Sequence, residues 1–123
     1  MMPKYRVWDE YTGRIHDVVG FDFIENEVHY ENYAEAEALI HARDFKDVEL
    51  MQSTGFKDVH GVEIYEGDIV QDCYSREVSF IEFKEGAFYI TFSNVTELLS
   101  ENDDIIEIVG NIFENEMLLE VMR

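Results

Sequence analysis

The chain has 123 residues, 46% of them hydrophobic and 14% aromatic, with 28 acidic against 9 basic side chains and a formal net charge of -19. That apolar content excludes a disordered acidic chain, and the length excludes two large independent domains, leaving one globular unit or two small subdomains sharing a core. Cys73, the single cysteine, excludes an intramolecular disulfide and a CxxC motif; with no apolar run near the roughly 18 residues of a membrane span, the expectation is a soluble cytoplasmic protein.

Lys4 to Val7 alternates, Asp9-Glu10-Tyr11-Thr12-Gly13 supplies turn chemistry, and Arg14 to Phe23 resumes a β-rich run through Ile15, Val18, Val19 and Phe21. This predicts a β-hairpin with Trp8 as an anchor at its core edge. Asn32-Tyr33-Ala34-Glu35 has capping-box spacing, and Ala36, Leu39, Ile40 and Arg43 follow at helical intervals, which predicts a short helix over Tyr33 to Arg43. The polar stretch Asp44 to Asp47 then separates an N-terminal hairpin and helix subdomain, residues 1–47, from a second subdomain over 48–123, the two forming one compact unit.

Val48 to Gln52 has β character and ends at Thr54-Gly55, where glycine accepts a positive φ. A polar loop, Lys57 to Gly61, leads into extended Val62 to Tyr65, and Glu66-Gly67-Asp68 turns the chain into Ile69-Val70. Glu77 to Phe83 and Ala87 to Phe92 flank Lys84-Glu85-Gly86 as a second hairpin. In its first strand Val78 and Phe80 point one way and Ile81 and Phe83 the other, so both faces are apolar or a bulge switches register. Asn94 to Glu97 has cap spacing and predicts one helical turn through Leu99, Ile105 to Val109 a last strand, and Asn115 the cap of a short helix carrying Met117, Leu118 and Leu119. The whole reads as a mainly β, α+β chain whose second part fits a small SH3-like β-barrel.

Met51-Gln52, Thr54-Gly55, Lys57-Asp58 and Ile64-Tyr65-Glu66-Gly67-Asp68-Ile69-Val70 occur in the order typical of the YopX-like proteins, which the chain resembles. Tyr5-Arg6-Val7-Trp8-Asp9 resembles that family's opening, and Val109-Gly110-Asn111-Ile112-Phe113-Glu114-Asn115 its ending. Phe56 stands where the family usually has Leu, Glu116 where Pro often follows, and residues 22–46 match nothing in the pattern. The resemblance implies a phage or prophage origin, an N-terminal subdomain that mediates association or dimerisation, and a C-terminal SH3-like barrel. The family has no established biochemical function.

The chain contains no GxSxG elbow, HExxH pair, P-loop or dinucleotide fingerprint, so no catalytic residue, enzyme activity or cofactor is expected. His16, His29, His41 and His60 are scattered without metal-ligand spacing, and Asp103-Asp104 with Glu101 and Glu107 lacks the alternating oxygens and central Gly of a calcium loop. No metal is expected either. Lys57, Asp58 and His60 are the candidate partner-binding residues, against the competing reading that they only shape a turn. With only nine basic residues to displace counterions, direct nucleic-acid binding is not expected, nor is membrane attachment. The leading expectation is a non-enzymatic phage-type accessory protein that associates with a protein partner of unknown identity and with itself, in the host cytoplasm if phage-encoded. The alternative is an acidic nucleic-acid mimic that occupies the DNA-binding surface of a host protein.

Overall fold

The computed structural model describes residues 4–32 and 39–121. Among the described residues the chain is mainly β, with three antiparallel sheets and one short helix, and it divides into two compact units, residues 1–52 and 53–123. Among the described residues no helix is long and apolar enough to cross a membrane.

In the first unit β1 (Tyr5–Asp9), β2 (Arg14–Asp22), β3 (Glu27–Asn32), β4 (Leu39–Asp44) and the first half of β5 (Val48–Lys57) lie in the order β4-β3-β2-β1-β5. The expected first hairpin is present, with Arg6 opposite Asp17 and Asp9 opposite Arg14. Its turn closes where the Gly13 N–H donates to the Asp9 carbonyl at 2.8 Å, with Gly13 at a φ of 67° that favours glycine. Alternation along β1 and β3 puts Val7, Val28 and Tyr30 on one buried face, against which Val18, Phe21, Phe45 and Val48 pack.

The expected helix over Tyr33 to Arg43 is corrected where it is described. Residues 33–38 lie outside the described residues, and Leu39 to Arg43 belongs to strand β4. Every residue of that strand is paired with β3, from Asn32 opposite Leu39 to Glu27 opposite Asp44. This cross-strand ladder outweighs the weak helix propensity of a short Ala-containing segment.

In the second unit the latter half of β5 pairs with β6 (Glu63–Tyr65) across a bulge. Ser53 faces Tyr65 and Lys57 faces Glu63, and Gly55 takes a φ of 79° within the irregular stretch. β7 (Asp68–Asp72), β8 (Val78–Phe80) and β12 (Ile106–Asn111) form one three-stranded sheet, ordered β12-β7-β8. β9 (Glu82–Lys84), β10 (Ala87–Phe92) and β11 (Val95–Leu98) form the other, and α1 (Met117–Val121) follows. The two sheets share an aliphatic core of Ile64, Val70, Ile81, Ile90, Leu99 and Ile106.

β8 and β9 are one run of chain bent at Ile81, whose N–H donates to the Asp68 carbonyl and whose carbonyl accepts from the Gly67 N–H, each at 2.9 Å. The bend hands the run from β7 to β10, which accounts for its apolar residues on both faces. The expected small SH3-like barrel is met in part: the second unit is built of short antiparallel strands, but among the described residues no ladder joins its two sheets and no closed barrel is found. The helical turn expected after Asn94 is corrected too, because Val95 to Leu98 is strand β11. Ser93 and Asn94 have φ of 51° and 64°, the paired positive values of a two-residue hairpin turn, and the apparent cap is that turn. The last strand and the final helix lie as expected.

Candidate functional site

Lys57, Asp58 and His60 lie together at the end of β5 and in the loop to β6. Lys57 is exposed, whereas Asp58 is buried and its carboxylate is fully engaged. Oδ1 accepts from the His60 N–H at 2.9 Å and the Val62 N–H at 3.0 Å, and Oδ2 accepts from the Ile108 N–H of β12 at 3.0 Å. Burial opposes ionisation of Asp58, but these amides, with the charge of His60 adding, hold its pKa below the ordinary carboxylate value. The Val59 N–H donates to the Ile106 carbonyl at 3.0 Å, so this loop is pinned to β12 at two places. His60 presents its ring to solvent, with Nε2 at 3.1 Å from Glu107 Oε2.

A second constellation, in the first unit, was not singled out by sequence reasoning. Asp9 is fully buried; its Oδ2 accepts from the Tyr30 hydroxyl at 2.7 Å and lies 3.0 Å from Arg43 Nε. Its Oδ1 accepts from the Tyr11 N–H at 3.0 Å. The Tyr30 ring is stacked between His16, at 4.1 Å between centroids, and His41, at 5.5 Å. The Arg43 guanidinium also lies over the Tyr11 ring, 5.5 Å from its centroid. Burial, then the hydrogen bond to Asp9 and its charge, raise the Tyr30 phenol above its ordinary value. Burial lowers the pKa of His16; the Asp9 charge opposes this, and His41 and Arg14 add to it. Alternation was the available signal, since Asp9 falls in phase with Val7, and Tyr30 with Val28.

Chemically the cluster is a polar network gathered on the Asp9 carboxylate. The Thr12 hydroxyl donates to the Asp9 carbonyl at 3.1 Å, so in its 2.6 Å contact with His16 Nε2 it acts as acceptor. Among the described residues no group of three or more His, Cys, Asp or Glu is placed to hold a metal ion.

No curated protein matches the chain. It is similar over 97% of its length to protein EF1440 from Enterococcus faecalis, whose crystal structure it matches at a TM-score of 0.70 and 27% identity over 99% of that chain. A family model described as YopX protein matches residues 4–120.

Proposed function

The chain belongs to the YopX family, whose function is unknown, and we propose for it a non-enzymatic role in protein association, with two copies pairing through the outer edge of β4. One observation carries this reading. β4 ends the sheet of the first unit, paired with β3 on one side only among the described residues, and it exposes Leu39 at 45% and Ile40 at 57%. An edge strand offers a row of unpaired backbone donors and acceptors, and natural edges are blunted by proline or charge. Leu39-Ile40-His41-Ala42 carries no proline, acid, lysine or arginine, and the charge that follows on Arg43 is turned to Asp9.

The proposal extends to a phage-type accessory protein of the host cytoplasm that does not bind nucleic acid directly. It also includes an open, SH3-like arrangement of the second unit, supported by the strand bent at Ile81 and shared by two sheets. Lys57 and His60 are the exposed side chains that a further protein partner would touch, with Asp58 fixing the loop that carries them.

Sedimentation over a range of protein concentrations tests the edge. A mass above the monomer that rises with concentration and with salt, and reverts to the monomer in Ile40→Lys, is the expected result. A monomer throughout overturns it. The net charge of -19 favours a second reading, the nucleic-acid mimic. A monomer that displaces DNA from a purified DNA-binding protein, and is itself released by salt, selects that reading instead.

A further inference from the structure

We propose that a cleft in the second unit binds the guanidinium of an arginine side chain presented by a protein partner. The cleft, of about 480 Å³, lies within the rough 300–1,000 Å³ range of ligand pockets. Glu77, Ser79, Glu82 and Thr91 are among its polar groups, Phe80 and Leu119 are among its apolar walls, and among the described residues no lysine or arginine lines it.

Three of these groups are set differently, and together they define the ligand. Glu77 is fixed: its carboxylate accepts from the Ser93 hydroxyl at 2.7 Å and from the Ser93 N–H. Glu82 is half-buried, and its carboxylate makes no hydrogen bond or ion pair among the described residues. Ser79 is only 7% exposed; its Oγ accepts from the Thr91 N–H at 3.4 Å and gives its own proton to no acceptor among the described residues. Among the described residues the cleft therefore holds one rigid carboxylate, one unengaged carboxylate and one buried hydroxyl, with no positive charge lining it to balance them.

A cation with an apolar stem completes such a site. A planar guanidinium meets carboxylate oxygens through a fork of N–H donors and sheds its weakly held water more readily than an ammonium. The methylene stem of arginine lies against apolar walls of the kind Phe80 and Leu119 supply. Residues 61–123 carry 15 acidic against 3 basic side chains, a net -12, so the field over this half of the chain steers a basic segment toward the cleft. The site is in the second unit and does not involve β4, so it stands or falls separately from the pairing of two copies.

The test is a titration of the full chain with a blocked Ala-Arg-Ala peptide, followed by the backbone amide shifts. The expected result is a saturable change centred on Ser79, Thr91 and Ser93, weakened about fivefold in E82Q and unchanged in E101Q/D104N, whose acids lie outside the cleft. Among the described residues Glu82 has no partner to lose, so E82Q is expected to keep the wild-type fold and spectrum. Peptides with citrulline, which has the shape without the charge, or with lysine bind more weakly. The proposal is overturned by shifts spread over the acidic surface, by equal weakening in both variants, by a citrulline or lysine peptide that binds as well, or by no saturation.

Discussion

In the first unit Asp9 is wholly buried and answered mainly by side chains, the Tyr30 hydroxyl and the Arg43 guanidinium, which come from strands 21 and 34 residues further along. In the second unit Asp58 is buried and answered entirely by backbone, the N–H groups of His60, Val62 and Ile108. Their surroundings differ in the same sense. Val7, Val28 and Tyr30 make a small core beside a polar network, whereas six aliphatic side chains from Ile64 to Ile106 make the other. Backbone donors remain in place whatever side chain occupies a neighbouring position, but each member of a side-chain network depends on the rest. The first unit is therefore the more fragile toward single polar changes, and the second toward loss of apolar volume.

The largest effect sharpens that contrast from the apolar side. Ile64→Ala removes a fully buried side chain from the aliphatic core and costs about 3.5 kcal/mol, read from urea unfolding and from faster amide exchange in β7 and β10. Asp9→Ala tests the polar side and costs about 2.5 kcal/mol, because Tyr30 and Arg43 lose their shared acceptor. The cost stays below that of a fully enclosed pair because the Arg43 side chain keeps 31% of its exposure. Trp8, the sole tryptophan, lies in β1 next to Asp9, so its fluorescence follows the first unit directly. Equal fluorescence midpoints for Asp9→Ala and the wild type would break the comparison.

Asp58→Ala comes next, at about 2 kcal/mol, since three N–H donors lose their acceptor at a loop that water partly reaches. The Ile108 amide should exchange faster. The pH dependence has a defined sign: the Asp58 pKa is lower in the folded chain than the ordinary 3.8, so its contribution is complete above that value and is lost as pH falls through the folded value. Asp58→Asn, which cannot titrate, removes this part of the acid loss of stability. An unchanged acid profile in the variant would show that the cradle does not stabilise the ionised form.

Local chemistry made the turns legible from sequence. Gly13, Gly55 and Gly67 all take positive φ at the turn and breaker positions the sequence marks, and the hairpin that Gly13 closes is present. At Gly110 the requirement is steric, because a Cβ would come within 2.5 Å of Asn115 Oδ1, and the sequence offers no sign of that approach. Leu39 to Arg43 misled because its apolar spacing fits a helix, while its strand state depends on the ladder with β3. Asn94 misled because an asparagine serves equally as a helix cap and as a left-handed turn residue. The Asp58 loop could be located by its flanking glycines, though the role of its carboxylate depends on Ile108, 50 residues away. The Asp9 network was hidden for the same reason: Asp9, His16, Tyr30, His41 and Arg43 are ordinary strand residues until the four strands β1 to β4 align them.

The smallest effect separates the two units by pH near neutrality. Burial keeps the His16 pKa below 6.5 in the folded chain. The unfolded chain therefore binds the proton more readily, and stability is complete above 6.5 and declines as pH falls through the folded value. Groups facing this imidazole pull in both directions, with Asp9 and Asp17 favouring its charge and His41 and Arg14 opposing it. The net change is expected to be smaller than that of any substitution above. Because His16 stacks on the same Tyr30 ring that binds Asp9, the decline should be seen in Trp8 fluorescence unfolding, while amide exchange in β7 and β10 stays flat over the same range. His16→Gln keeps a polar side chain without the titration and should flatten the fluorescence profile. If both probes decline together in the wild type and in His16→Gln, the pH sensitivity belongs to the acidic surface as a whole and not to the network around Tyr30.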